Sequence, residues 1–464
     1  MFSFFVFFLL SLTAATAGTL RAGVAKVNAT LPVGVPLAGY NHGERRVKYW
    51  PLPDPKQYTN FMTPSVGHLQ TTWAKALLLD NGNTTFCFLT VDAIGADGTL
   101  RKLAWEKAAA RGFTVPFDRF TVHGSHTHSG PGAVTPELLW SLAPATDILV
   151  PELQDMLASS LADAMLQAQA NLQPAKMGIN FGQLVGVTEN RRADISPYVQ
   201  VGSIDPHLGV IRVDRSSDGT PLATVWNFAI HGTCWGPDQM LSNGDIMGGA
   251  CDAIETAVGH QSVAMFINAD AGDIAPAGSA CAGKPNYAGA PVIASAVQRL
   301  RDDTPVTSDD VGLVSASTVV DFGETQGNLT LARVANCTQG GPLDICSLCR
   351  VLRCDVNLHL DSAWIEESPT FTALNISIGG NHTLMVTVPG EALLELGWNI
   401  RNDSLKLGFT NTLLAGYSNN HMGYFATPDE YEVGGYEGLL TMWGIDTAEK
   451  VRQSCRAVAE KVSK

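Results

Sequence analysis

Two histidines one residue apart, His126 and His128, follow a short β-forming run and precede a Gly-Pro-Gly turn. Imidazole is the commonest protein ligand for zinc. Residues 118–123 read as a strand, and side chains two positions apart on a strand point to the same face. We therefore expect both imidazoles to emerge together at the strand end, where they would hold a metal. A pair of solvated loop histidines is the alternative.

Other predicted strands end in similar polar, glycine-bearing loops. His231 follows the buried run 222–230, and residues 268–276 follow the apolar run 263–267. Glu391 follows the strand 383–388 and precedes a helix. Its carboxylate would either stabilise the helix N-terminus, by about 0.3–1 kcal/mol, or serve as a third metal ligand. Active sites collect at such strand ends, because rigid elements position the loop residues.

Two polar stretches could supply further groups. Residues 416–438 contain four of the nine tyrosines of the chain. A tyrosine can donate to an oxyanion or, when deprotonated, bind a metal. The pair Arg191 and Arg192 lies in a predicted loop. Such a pair is usually solvated, but it could also hold a substrate oxygen or a carboxylate by a bidentate contact.

The elements that position these residues indicate a mixed α/β fold dominated by β-sheet, with helices packed outside. A hairpin is predicted at residues 72–91, around an Asn-Gly turn. Helical spacing is found at residues 97–111, 149–172 and 447–464. No linker divides the chain, so residues 18–464 are predicted to form one catalytic domain. Within it, residues 325–362 form a cysteine-rich surface insertion.

Composition limits the function classes. With 464 residues, of which 45% are hydrophobic and 16% are charged, the chain can bury a large core. Its net charge of -14 disfavours nucleic acid or an anionic membrane as the main partner. Composition leaves the oligomeric state open.

The N-terminus predicts secretion. Residues 1–17 form an apolar run that ends in Ala-Thr-Ala, which is typical of a signal peptide cleaved after Ala17. An uncleaved anchor is the alternative, because the run has no positive charge before it. Seven N-x-[ST] sequons agree with a secreted glycoprotein. Of the nine cysteines, four lie between 337 and 354. We expect disulfides there rather than a zinc or redox site, and at least one thiol left over.

Five short motifs then occur in one order along the chain: residues 124–132 (GSHTHSGPG), 227–233 (NFAIHGT), 272–276 (GDIAP), 388–391 (VPGE) and 424–438 (YFATPDEYEVGGYEG). Each motif alone is weak. In this order they resemble the neutral/alkaline non-lysosomal ceramidases, and the resemblance extends over residues 18–464. It implies a secreted amidase that hydrolyses the N-acyl bond of ceramide, or of a related N-acyl lipid, to sphingosine and a fatty acid. Peripheral contact with membrane lipid would accompany such a substrate.

The resemblance also assigns roles by position. It implies one zinc ion per chain, with the ligands His126, His231, Glu391 and Tyr424; the oxyanion donors His128 and Tyr436; and a substrate-contacting arginine, Arg191. Zinc polarises a carbonyl and lowers the pKa of water to about 7, which suits the cleavage of an unreactive amide.

The chain departs from the family pattern at three places. Ala275 stands where the family has a serine of the site. A serine-proline pair does not directly follow Asn190 and Arg191. No immunoglobulin-like domain, which family members usually carry, is recognised after the tyrosine motifs. These differences leave two alternatives open: hydrolysis of another N-acyl lipid or amide, and a lipid-binding pseudoenzyme.

A barrel-type amidohydrolase that uses H-x-H is a third alternative. It would require further histidines and a late aspartate at barrel strand ends. The succession of His231, Glu391 and Tyr424 fits that pattern poorly.

Overall fold

Two β-sheets packed face to face form the centre of the computed structural model, which describes residues 18–46, 58–142, 145–305, 307–337 and 345–463. The predicted signal peptide, residues 1–17, lies outside these ranges. Within them no helix is both long and apolar enough to cross a bilayer.

The strands are β1 (Gly18–Thr19), β2 (Arg21–Asn28), β3 (Gly67–His68), β4 (Trp73–Asp80), β5 (Thr85–Val91), β6 (Phe120–Gly124), β7 (Gln173–Gln183), β8 (Thr188–Asn190), β9 (His207–Arg215), β10 (Pro221–Phe228), β11 (Leu241–Ser242), β12 (Val263–Asn268), β13 (Ile274–Pro276), β14 (Asp310–Val319), β15 (Gly327–Thr330), β16 (Asp355–Leu358), β17 (Thr370–Ile378), β18 (Asn381–Thr387), β19 (Glu391–Ala392), β20 (Asn411–Ala415) and β21 (Tyr424–Phe425). The α-helices are α1 (Gly98–Ala109), α2 (Leu138–Leu142), α3 (Pro151–Ala170), α4 (Asp245–Val258), α5 (Gly289–Asp302), α6 (Leu331–Ala335), α7 (Ile345–Leu352), α8 (Leu394–Lys406), α9 (Pro428–Val433), α10 (Gly435–Leu439) and α11 (Thr447–Glu460).

The layers confirm the predicted α/β class. The larger sheet has the order β12-β10-β9-β7-β2-β4-β5-β6, and the smaller sheet has the order β1-β14-β17-β18-β20. Their facing sides share one apolar cluster, which includes Phe88, Ile211 and Leu374. Helices α1, α3, α4 and α5 cover the outer face of the larger sheet, and α8 and α11 cover that of the smaller sheet.

Strand periodicity explains why β4 is buried on both sides. Leu77 and Leu79 point into the cluster between the sheets, whereas Ala76 and Leu78 point toward the helices. The predicted hairpin with β5 is confirmed, and its turn places Gly82 at a φ of 83°.

The predicted amphipathic helix is also confirmed, as α3. It begins with a proline in its first turn, and its buried face includes Leu153, Leu157 and Met165. Helical periodicity also predicts Met156 on this face, but its side chain is 37% exposed. The inner stripe is therefore narrower than the pattern predicts.

The larger sheet curls so that its two edge strands approach each other. The Asn268 side chain, at the end of β12, donates to the Ser125 carbonyl beyond β6 at 3.4 Å. The amide of His128 donates to the Gly232 carbonyl at 2.9 Å, and the Gly232 amide donates to the His126 carbonyl at 3.2 Å. The smaller sheet joins the same place, because the Gly416 amide donates to the Asn268 carbonyl at 2.9 Å. The carboxyl ends of β6, β10, β12 and β20 therefore meet.

The predicted cysteine-rich segment contains disulfides, as expected. The disulfide pairs are Cys234–Cys281, Cys337–Cys346 and Cys349–Cys354. Cys87, Cys251 and Cys455 are free and buried. The described part of the segment is more than a surface insertion, since Cys346 and Cys349 share an apolar cluster with Leu439 of α10.

Candidate metal centre

Three side-chain atoms converge where these strands end. The Nε2 atoms of His126 and His231 lie 3.0 Å apart. Glu391 Oε2 lies 3.3 Å from the first nitrogen and 3.4 Å from the second, and all three side chains are buried. A tetrahedral site with bonds of about 2.0–2.1 Å places its ligand atoms roughly 3.3–3.4 Å apart. The two distances to Glu391 match this spacing and the distance between the two imidazoles is shorter, so the three atoms could hold a metal ion.

The tautomers of the two imidazoles suit metal binding. His126 Nδ1 donates to the Ile94 carbonyl at 2.8 Å, and His231 Nδ1 donates to the Ala271 carbonyl at 2.6 Å. A carbonyl only accepts, so the proton must be on Nδ1 in both rings. Each Nε2 then presents a lone pair to the cluster, which is the usual arrangement around metal-bound histidine.

His128 lies beside this cluster, with its Nε2 3.2 Å from that of His126. Its Nδ1 donates to the Gly39 carbonyl at 3.1 Å, so its Nε2 carries a lone pair as well. Burial, and next the proximity of His126, hold the pKa of His128 well below its usual value. The neutral ring accepts a proton at Nε2 rather than donating one. The oxyanion role that the resemblance implies for His128 would require an imidazolium.

Tyr424 is next to Glu391, because β19 and β21 pair in parallel with these residues opposite each other. The Tyr424 hydroxyl accepts from Arg191 Nη2 at 3.0 Å. Burial, and next the Glu391 carboxylate, raise the pKa of Tyr424 well above 10, although Arg191 opposes the shift. A phenolate here would therefore need a cation in addition to Arg191, and a bound metal would supply that charge.

Arg191 spans the edge of the cluster. Its Nη1 lies 3.2 Å from His231 Nε2, and its Nε donates to Glu437 Oε1 at 2.6 Å. Tyr436 lines the same cleft, with its ring centre 5.6 Å from that of Tyr424. Both residues therefore lie at the edge of the cluster.

Of the two alternatives for the arginine pair, solvation is wrong. Arg192 is fully buried; its Nε donates to Glu430 Oε2 at 2.5 Å and its Nη1 donates to Glu437 Oε2 at 2.7 Å. The bidentate binding capacity of this guanidinium is used on two protein carboxylates and not on a substrate. Glu437 is thereby shared between Arg191 and Arg192.

The H-x-H motif reaches the site by a different geometry from the one predicted. Strand β6 ends at Gly124, and His126 has a left-handed φ of 64°. The histidines meet because the chain turns after the strand, and not because strand residues alternate. His123, three positions before His126, lies outside the cluster. It is hydrogen-bonded to Thr121 at 2.9 Å and to Ser418 at 2.6 Å. Burial lowers the pKa of His123 to about 3.

Ala275, the position of the family serine, lies in β13 opposite Glu189 of β8. The preceding carbonyl, of Ile274, accepts from the His231 amide at 2.9 Å. Ala275 is therefore one residue from the backbone that anchors a predicted ligand.

Two residues without an assigned role in the sequence analysis contact Glu391. His421 Nε2 lies 3.1 Å from Glu391 Oε1, and the Tyr417 hydroxyl donates to Oε2 at 3.3 Å. Burial raises the pKa of Glu391, but His126 and then the other neighbouring imidazoles outweigh it and hold that pKa well below its usual value. Both residues follow the buried strand β20, the same signal that selected His231.

Asn268 joins the loops behind the centre. Its Nδ2 donates to the Ile230 carbonyl at 2.9 Å, and its Oδ1 accepts from the Ala269 amide at 2.9 Å. We expect Asn268→Ala to lower the free energy of unfolding by about 2–3 kcal/mol, because it leaves buried backbone groups without partners. Urea unfolding checks this against Asn286→Ala, an exposed control expected to change it by less than about 0.5 kcal/mol. Equal losses in the two variants would contradict the assignment.

The buried carboxyl group of Asp205 is expected to make the stability of the protein depend on pH. Arg401 Nη2 lies 2.8 Å from Asp205 and 2.9 Å from Asp270. Burial, and next the Asp270 carboxylate, raise the pKa of Asp205 to about 8. An unfolded aspartate has a pKa of about 3.9, so between these values the folded protein holds a proton that the unfolded chain has released. This contribution to stability is complete below about pH 4 and is lost as the pH rises to about 8.

Asp205→Asn removes that titration. Relative to wild type, we expect the variant to gain stability as pH rises from 5 to 8, by up to about 1.4 kcal/mol per pH unit. Urea unfolding of both proteins at several pH values gives the difference. A constant difference across this range would show that Asp205 is already ionised at pH 5.

Comparison with known proteins shows the family and the fold. The family model described as neutral/alkaline non-lysosomal ceramidase, N-terminal, matches residues 56–290, just over half of the chain. Neutral ceramidase A of Dictyostelium discoideum is 22% identical over 445 residues, which covers 74% of this chain and 61% of that protein. Neutral ceramidase of Mycobacterium tuberculosis is 27% identical over 170 residues, covering 33% of this chain and 26% of the relative. The chain therefore spans about three-fifths of the length of the Dictyostelium relative and about a quarter of the length of the Mycobacterium relative.

Solved structures show the same fold. Neutral ceramidase from Pseudomonas aeruginosa superposes with a TM-score of 0.76 at 19% identity, over 96% of this chain and 74% of the other. A ceramidase complexed with C2 also gives 0.76, at 18% identity, over 96% of this chain and 75% of that one. The family match, together with the shared fold, identifies the chain: it belongs to the neutral/alkaline non-lysosomal ceramidase family.

Proposed function

We propose that this chain is a zinc-dependent amidase that hydrolyses the N-acyl bond of ceramide, or of a closely related N-acyl lipid. The observation that carries the proposal is the buried convergence of His126 Nε2, His231 Nε2 and Glu391 Oε2 within 3.0–3.4 Å of one another. Family membership supports an amide substrate.

The residues present fit one zinc ion. His126, His231 and Glu391 would hold it, with Tyr424 as the fourth ligand at the side of Glu391. When bound, zinc supplies Lewis acidity that polarises the amide carbonyl and favours ionisation of water. Arg191 contacts both His231 and Tyr424, and therefore has to shift from the His231 nitrogen when that atom takes up its ligand role.

His128 and Tyr436 would supply the proton transfers and the oxyanion hydrogen bond. His128 is a neutral ring with a lone pair at Nε2, so it can take the proton of the attacking water. The resulting imidazolium can return that proton to the departing amine nitrogen as the C–N bond breaks. Tyr436 is a hydroxyl donor in the cleft wall for the developing oxyanion.

The cleft above the cluster is apolar enough for an acyl chain, but its volume is too small for one. Leu139, Trp140, Ile365, Leu440 and Met442 line it. Its volume of about 20 Å³ exceeds the roughly 10–15 Å³ needed by one water molecule, but an acyl chain is far larger. Binding of the lipid therefore requires these apolar side chains to move apart.

Secretion and contact with lipid are part of the proposal. Three disulfides in the described chain suit an oxidising compartment. Leu138 and Trp364, which adjoin the cleft residues Leu139 and Ile365, are 42% and 40% exposed. Exposed apolar side chains beside the cleft support peripheral contact with a lipid surface from which the substrate is taken.

A lipid-binding pseudoenzyme is the second candidate, and Ala275 is the observation that favours it. It requires the same pocket and metal, but no turnover. Restoring the family residue with Ala275→Ser separates the two candidates. The pseudoenzyme predicts that activity appears only in this variant, whereas the amidase predicts activity in wild type.

The test combines metal content with turnover. The purified full chain is analysed for zinc per chain, and sphingosine release from ceramide is measured for wild type and Ala275→Ser. About one zinc per chain together with release by wild type is the expected result. Zinc without release from ceramide or other N-acyl lipids would overturn the amidase, and the absence of zinc would overturn the ligand assignment.

A further inference from the structure

We propose that His421 is a positioning residue that sets the orientation of the Glu391 carboxylate toward the metal. This inference rests on the proposed metal site, and it adds a residue to which neither the sequence motifs nor the family match assigns a role. His421 is 2% exposed and its Nε2 lies 3.1 Å from Glu391 Oε1.

The two carboxylate oxygens of Glu391 have different neighbours. Oε2 faces the Nε2 atoms of His126 and His231 at 3.3 and 3.4 Å. Oε1 faces His421. A carboxylate whose second oxygen accepts a hydrogen bond is held as a one-oxygen ligand, because the bond fixes its rotation about the terminal torsion.

The proton on His421 is placed differently from those on the other three histidines of the site. The Nδ1 atoms of His126, His128 and His231 contact carbonyls, which puts their protons on Nδ1 and leaves Nε2 as a lone pair. His421 has its Nε2 against a carboxylate oxygen, so its proton is on Nε2. The buried Nδ1 of His421 has no hydrogen-bond partner among the described residues. His421 Nε2 is therefore a donor to Glu391 and not a ligand.

Packing fixes the ring in this position. The Trp140 ring meets the His421 ring edge-on, with centres 4.9 Å apart, and Trp140 Nε1 donates to the His421 carbonyl at 2.8 Å. On another side, a Cβ at Gly95 would come within 3.3 Å of the His421 side chain. A ring held on these sides can direct a carboxylate without moving itself.

Two variants separate the hydrogen bond from the packing. His421→Phe keeps a flat ring against Trp140 but has no donor. His421→Gln keeps an N–H donor in the same region. Each purified full chain is stripped with a chelator, and the affinity for Zn²⁺ is measured by competition with a chromophoric chelator. The visible spectrum of the Co²⁺-loaded protein reports the coordination geometry, and thermal unfolding of the metal-free chains reports the fold.

The expected result is a 10–100-fold weaker affinity in His421→Phe, with a changed cobalt spectrum and an unchanged metal-free fold. His421→Gln should recover most of the affinity and the wild-type spectrum. Wild-type affinity and spectrum in His421→Phe would overturn the positioning role alone. Equal losses in both variants, with a changed coordination number, would also overturn it, by making His421 a ligand. If wild type itself binds neither Zn²⁺ nor Co²⁺, the proposed metal site fails as well.

Discussion

Replacing His126 with glutamine is expected to remove zinc from the protein and to lower amide hydrolysis by about 10³-fold or more. The imidazole is one of the three converging side chains proposed as ligands, and its Nε2 lies 3.0 Å from the second nitrogen of the cluster. Even changes around a ligand cost about 10–100-fold in metal affinity, so losing a ligand should cost more. A metal ion contributes several kcal/mol of transition-state stabilisation, and each 1.4 kcal/mol corresponds to a tenfold change in rate.

His123 offers a matched control for this change. It lies three positions earlier, it is equally buried, and its hydrogen bonds to Thr121 and Ser418 do not involve the cluster. His123→Gln removes the same chemical group from the same part of the fold. We expect it to retain zinc, measured as metal per chain, and to lose stability only. If both variants keep zinc, or if both lose it while folded, the metal does not depend on His126 in particular.

Much of the fold was predictable, because its long elements have strong periodic patterns. The hairpin of β4 and β5 and the helices α1, α3 and α11 were expected at nearly their observed bounds. The pairing of distant strands was not predicted. The approach of β6 to β12 depends on the curling of a whole sheet, and side-chain alternation along one strand contains no information about that curvature.

The candidate site was predictable where a chemically distinctive residue follows a buried strand. His126, His231 and Glu391 met that criterion, and the structure brings them together. The local geometry of His126 was not predicted, because its left-handed φ places it in a turn. No role was predicted for His421, although it also follows a buried strand, because it lies six residues beyond the end of β20 and outside the five motifs.

Buried charge was the other feature that sequence could not supply. Solvation was one of the two alternatives for Arg192, because arginines in loops are generally solvated. Its partners, Glu430 and Glu437, lie more than two hundred positions away along the chain. No local pattern connects them, so only the folded chain shows that the loop is held by an internal ion-pair network.

Removing Arg192 from this ion-pair network is expected to cause the largest loss of stability of any substitution proposed for this protein. We expect Arg192→Met to lower the free energy of unfolding by about 3–5 kcal/mol, since methionine fills the space but leaves two buried carboxylates without that cation. Glu430 loses a donor at 2.5 Å and Glu437 loses one at 2.7 Å. Urea unfolding measures the loss, with Arg456→Met as the control, because that exposed pair with Glu460 is worth at most about 1 kcal/mol.

If the loss in Arg192→Met arises from unpaired buried carboxylates, two further results are expected. Adding Glu430→Gln should recover part of the loss, because it removes one unpaired buried charge. The deficit relative to wild type should also shrink as pH falls. Burial raises the pKa of Glu437, but Arg191 and Arg192 outweigh it and hold that pKa below its usual value, so this stabilisation is present at neutral pH and disappears when the carboxylate is protonated. A deficit that is independent of pH and unchanged by Glu430→Gln would instead indicate lost packing around the guanidinium.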